Sequence, residues 1–165
     1  MKEYTIRRVE LGDEDALAFI QTESWKSAFG SILSRETLEE CTNIEKARKM
    51  YHSLLEAQVA NGYLLEVEGK PHCIAYWDQT REKNMPGYAE LICIHSLAGN
   101  WGKGYGSKMM QQVLTDMEKA GYDKVMLWVF EENHRARRFY EGFGFHKADR
   151  AQDAFGATEI MYMKD

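Results

Sequence analysis

Apolar residues recur along this chain with two different spacings. Tyr4–Val9 is a short β-prone run, and after Gly12 and Asp13 the residues Ala16, Leu17, Phe19 and Ile20 follow at helical spacing. A strand and then a helix with an aspartate cap are predicted. A break near Gly30 precedes a second helical region, where Thr42 and Glu45 have capping-box spacing. Its apolar stripe is Ile44, Ala47, Met50, Tyr51, Leu54, Leu55 and Val59, and Gly62 is expected to close it. The spacing then shortens. Tyr63–Val67, His72–Trp77 and Tyr88–Ser96 read as three strands of an antiparallel meander, joined by turns at Glu68–Gly69–Lys70 and around Pro86–Gly87.

A helical stripe returns at Tyr105, Met109, Met110, Val113, Leu114 and Met117 and stops at Gly121. Val125–Phe130, VMLWVF, lacks alternation, as expected of a strand covered on both faces. Asn133 is placed to cap a short helix through Tyr140, Gly142 and Gly144 end it, and Thr158–Met163 reads as a final strand. This order implies an α/β (α+β) fold, with a mixed, twisted central sheet of six to seven strands flanked on both faces by about four helices. The 165 residues suit one domain, 1–165.

Charge and composition narrow the partners. The 21 Lys and Arg against 26 Asp and Glu leave a net charge of −5, the wrong sign for a nucleic-acid partner and the right one for a cationic ligand. No apolar run approaches the roughly 20 residues that cross a bilayer, so no membrane partner is expected. Cys41, Cys73 and Cys93 have no CxxC spacing, and the opening MKEYTIRRVEL lacks the apolar core of a signal peptide, which together predict a cytoplasmic protein. His52, His72, His134 and His146 have no HxH or HxxxH partner, so no metal site is expected.

The densest chemical signal is Asn100–Ser107, NWGKGYGS, where Gly102, Gly104 and Gly106 alternate between the end of a strand and the start of a helix. Side-chain-free positions there let amides converge on an anion at a helix N-terminus, so a phosphate site is predicted. Neither GxxxxGK[ST] nor GxGxxG fits: Gly104 is followed by Tyr105, and position 107 is serine.

With Trp101-Gly102-Lys103-Gly104-Tyr105-Gly106 and the later run Asn133–Phe145, NHRARRFYEGFGF, the sequence resembles the GNAT superfamily of acetyl-CoA-dependent N-acetyltransferases. The first run is similar to that family's Q/R-x-x-G-x-G/A loop, with Trp101 in place of Gln or Arg. The second matches every fixed letter of N-x-x-A-x-x-F-Y-x-x-x-G-F. The resemblance implies acetyl-CoA as acyl donor. It places Trp101 to Ser107 and Asn133 on the cofactor, the strand Ile94, His95 and Ser96 along the pantetheine arm, and Tyr140 as the general acid. A phenol, with a reference pKa near 10, suits that role, although Tyr140 would also pack the short helix. Arg135, Arg137, Arg138, Lys103 and Lys108 lie near both motifs and read chiefly as a solvated face.

By the period of two, Tyr88, Glu90, Ile92, Ile94 and Ser96 share one strand face, with Cys93 and His95 opposite. Glu90 among apolar neighbours is a candidate general base, with an ordered water as the alternative. Trp25, Phe29 and Trp77 are candidates for the acceptor site. The expected reaction is direct acetyl transfer to a primary amine, a small cation or a protein N-terminus or lysine. A non-catalytic CoA sensor or scaffold is the alternative, and a homodimer is left open.

Overall fold

In the computed structural model, which describes residues 1–165, one mixed seven-stranded sheet carries helices on both faces. The elements run β1 (Tyr4–Arg8), α1 (Glu14–Phe29), α2 (Arg35–Cys41), α3 (Ile44–Ala57), β2 (Asn61–Val67), β3 (Lys70–Gln79) and β4 (Tyr88–Ser96). A short 3-10 turn, Ala98–Asn100, then leads to α4 (Tyr105–Lys119), β5 (Lys124–Phe130), α5 (His134–Gly142), β6 (His146–Ala154) and β7 (Ala157–Lys164). The sheet order is β1-β2-β3-β4-β5-β7-β6. No helix is long and apolar enough to cross a membrane.

Local chemistry decides the boundaries. The second helical region is two helices, because the Thr42 hydroxyl bonds back to the Leu38 carbonyl at 2.6 Å and ends α2 instead of capping α3. The cap of α3 is Asn43, whose side chain accepts the Lys46 N–H at 3.0 Å. That helix stops at Ala57, where Gln58 and then Ala60 turn to positive φ. Gly62 belongs to β2, where a Cβ would lie 2.5 Å from the Tyr76 ring. Asp13 precedes α1 without capping it, since Arg7 holds its carboxylate with two bonds of 2.8 Å.

Two apolar layers enclose the sheet. Leu17, Ile20, Tyr51 and Leu55 from α1 and α3 pack on Leu64, Ile74 and Tyr76. Met109, Met110, Val113 and Met117 from α4, with Tyr140 from α5, pack on the opposite face against Leu65, Leu91 and Leu127. Because both layers are needed, β5 reads as an unbroken apolar run.

The feature that positions the site is a splay in the sheet. β4 pairs in parallel with β5 only through Tyr88, Ala89 and Glu90; beyond Glu90 the ladder stops, while β5 continues antiparallel to β7. The β5-facing edge of β4 from Leu91 to Ser96 therefore lacks a strand partner. On its other side β4 pairs with β3, and the register shifts there: Tyr76 faces Cys93 but Trp77 faces Leu91, leaving Ile92 as the extra residue.

That bulge overturns the expected face assignment. Ile92 and Cys93 both pack toward the α1 and α3 layer, and the alternation restarts with opposite phase. Ile94 consequently packs with the α4 layer, while His95 pairs across from Ile74 of the α1 layer. Glu90, Ile92, Cys93 and His95 share one face; Ile94 and Ser96 belong to the other.

Candidate active site

At the cofactor end, Gly102 and Gly104 adopt φ of 77° and 90°, a region that side chains disfavour. This turn brings the chain into α4 with its first amides exposed. The first intrahelical bond runs from Lys108 N–H to the Gly104 carbonyl, so Tyr105, Gly106 and Ser107 have no partner inside the helix. A chamber of about 300 Å³ opens in front of them, lined also by Ile94, Ser96, Arg135, Phe139 and Tyr140. Three amides at a helix N-terminus facing open space suit the pyrophosphate of CoA.

The strand edge supplies the next segment. Leu97 N–H bonds to the His72 carbonyl at 3.1 Å on the β3 side, whereas the Ser96 carbonyl turns the other way and accepts the Trp101 indole N–H at 3.0 Å. By antiparallel alternation, Ile94 presents its amide and carbonyl to the same open side as Ser96, and the His95 backbone belongs to β3. Of the three positions expected along the pantetheine arm, Ile94 therefore offers both its amide and its carbonyl, Ser96 only its amide, and His95 neither. Trp101 is built into this wall. Its ring also carries the Arg135 guanidinium 3.5 Å from the centroid, so Arg135, though exposed, bridges the two motifs. The signal available in the sequence was an aromatic residue at the motif's first position together with an unassigned arginine after Asn133. The Asn133 side chain accepts the Ala136 N–H at 3.3 Å and caps α5.

Tyr140 stands where this chamber meets a larger cleft of about 800 Å³, and it lines both. Burial holds its phenol above the ordinary range, against a smaller opposing pull from Arg135, so the hydroxyl keeps its proton. Cys93, in the same cleft, is pushed by burial to about 12, which keeps it a thiol and unsuited to accept an acyl group as a thiolate.

The larger cleft collects Trp25, Phe29, Glu90, His95 and Phe130. Trp25 donates its indole N–H to His95 Nε2 at 3.3 Å. Burial lowers His95 to about 4, so near neutral pH its ring is uncharged and keeps the lone pair that this bond requires. Two expectations change here. Trp77 lies behind the sheet, 4% exposed, donating to the Tyr63 hydroxyl at 2.9 Å and stacked edge-on against Tyr122, so it does not reach the cleft. Glu90, 2% exposed, is not surrounded by apolar groups alone. Arg81 binds its carboxylate through Nη2 at 2.5 Å, Nε at 3.2 Å and the backbone N–H at 3.0 Å.

Residues 23–145 match the acetyltransferase (GNAT) family. The chain belongs to the GNAT acetyltransferase family. As a GNAT protein it is an acyltransferase, and the family implies acetyl-CoA as donor. The mycothiol acetyltransferase of Frankia casuarinae is 39% identical over 70 residues, a match that covers 41% of this chain and 20% of that protein's length. Among solved structures, the PaiA N-acetyltransferase of Thermoplasma acidophilum in complex with coenzyme A superposes with a TM-score of 0.79 over 98% of both chains at 19% identity. The ribosomal-protein-alanine N-acetyltransferase of Brucella melitensis gives 0.75 over 97% of this chain and 98% of that one at 15% identity. At such identities the likeness is one of fold, and it includes the seven-stranded sheet with five helices seen here.

Proposed function

We propose that this GNAT enzyme transfers the acetyl group of acetyl-CoA directly to a primary amine. The observation that carries the reading is the continuity of the groove. Loop amides for a pyrophosphate, an unpaired β4 edge and a protonated Tyr140 follow one another, and Tyr140 opens onto a second cleft large enough for an acceptor. Bound acetyl-CoA supplies the thioester carbon that the amine attacks, forming a C–N bond as the C–S bond breaks. The amides of Tyr105, Gly106 and Ser107 hold the pyrophosphate, and the Ile94 amide orients the thioester. Tyr140 gives its proton to the departing sulfur and regains one by way of solvent as the attacking nitrogen sheds its own to become an amide. The acceptor's ammonium loses its proton to water at the cleft mouth. Acetyl-CoA incubated with a panel of primary amines should release thiol in step with a mass gain of one acetyl group on the amine. Tight CoA binding without release for any amine would favour a sensor instead.

The role of Glu90 follows from its pairing with Arg81. Its oxygens are already engaged by three hydrogen bonds from Arg81, so Glu90 serves to hold Arg81, and Glu90→Gln should lower transfer by the same factor at about pH 7 and about pH 9.5. An amine of pKa about 10 is almost wholly protonated at the lower pH and partly free at the higher. A loss that recovers at the higher pH would make Glu90 the base after all.

A further inference from the structure

The β6–β7 hairpin turns at Phe155–Gly156 between the paired residues Ala154 and Ala157. Both central residues have positive φ, 55° for Phe155 and 82° for Gly156, the conformation of a two-residue turn that selects Asn, Asp or Gly. A phenylalanine at the first of these positions is strained, because a bulky side chain is poorly accommodated in the left-handed region. Burial does not offset the strain, since Phe155 remains 53% exposed. Its ring instead leans over the larger cleft and meets Trp25 edge to face, centroids 5.5 Å apart.

Trp25 is the fixed side of this corner. It is backed by Phe29 at 5.0 Å, which in turn meets Phe130 at 4.9 Å, and its indole N–H is tied to His95. The two rings stand 79° apart, so one offers a face where the other offers an edge. A flat ring entering the corner can stack on one and meet the other edge-on, and an aliphatic chain gains neither geometry. Charge beside the hairpin also suits a cation: Glu82 is paired with Arg150 and Glu90 with Arg81, while Glu159 makes no salt bridge and is held by the neutral amide of Gln152, although Arg81 lies near enough to feel its charge. The other cation of the cleft, Arg135, is stacked on Trp101.

We infer that Phe155 and Trp25 are jaws that hold the flat apolar body of the acceptor, which makes the preferred acceptor an arylalkylamine. This rests on the amine-acceptor reading above and narrows it. The strain at Phe155 gives the test its sign. Phe155→Asn relieves the turn, so its melting temperature should hold or rise, whereas a phenylalanine kept only for packing would leave a less stable protein.

The experiment compares kcat/KM for phenethylamine and n-butylamine, with acetyl-CoA saturating. The wild-type protein should prefer the aryl amine by about tenfold, the span that aromatic pairing supplies beyond area, and Phe155→Asn should bring the ratio near one through KM. A wild-type ratio near one, or a ratio unchanged in the variant, overturns the jaws while leaving amine transfer standing. If no amine is acetylated, the transfer reading fails by itself. Calorimetry of phenethylamine against the CoA-loaded protein then decides the jaws: binding weakened by Phe155→Asn keeps them, and no binding removes them.

Discussion

Replacing Gly104 by glutamate should lower CoA affinity by about three orders of magnitude, measured by calorimetry, while the protein still folds. Three amides at the start of α4 have no partner within the helix. Each hydrogen bond to a charged acceptor contributes at least about 1.5 kcal/mol, so losing all three amounts to roughly 4.5 kcal/mol, or about a thousandfold. The new carboxylate adds repulsion toward the same anion. Two effects have to be separated, because Gly104 has φ of 90°, where a glutamate side chain is strained. Gly104→Asn provides the separation: asparagine tolerates the left-handed region and carries no charge, so it should melt near the wild type and keep much of the affinity. The Cβ itself meets only the flexible end of Met1 at 2.9 Å, which can move aside. Equal affinity in wild type and the glutamate variant would remove the pyrophosphate from this loop.

What the sequence discloses of such a site depends on how far apart the deciding residues lie. The left-handed glycines and the Asn133 cap act within four residues of themselves, so NWGKGYGS and NHRARRFY could be read directly. The β4 bulge could not, because it exists only as a mismatch between two strands. Ile92 looks like any other strand residue until its neighbours across β3 are known. One missed bulge reversed every side-chain assignment after it and moved His95 onto the face of Trp25. The ion pair of Glu90 with Arg81 was hidden similarly, since the partner sits beyond the end of β3 in a segment with no pattern of its own. β6 escaped for the opposite reason: HKADRAQDA is exposed along most of its length and carries no apolar alternation. Phe155, at the end of that strand, was hidden with it.

Loss of the Tyr140 hydroxyl, as Tyr140→Phe, should lower kcat by about a hundredfold to a thousandfold, with the KM for acetyl-CoA little changed. The ring packs edge-on against Phe139 and Phe145, and phenylalanine preserves both contacts, so stability should be nearly unaffected. A phenol held above its ordinary range is a weak acid, and in water it would not protonate a thiolate of pKa about 8.5. The groove changes that balance. Burial there acts on any sulfur anion as it does on the phenolate: the neighbouring thiols Cys73 and Cys93 are both pushed to about 12. A thiolate leaving into the same apolar surroundings is destabilised in the same sense, and the proton of Tyr140 follows it. Because the phenol's pKa is raised, Tyr140 stays protonated through neutral and mildly alkaline solution, so the wild-type rate should show no fall with rising pH below about pH 10 that is traceable to this residue. A Tyr140→Phe variant that retains more than a third of the wild-type turnover would mean that the ring serves only to pack α5 on the sheet and that the thiolate takes its proton from water.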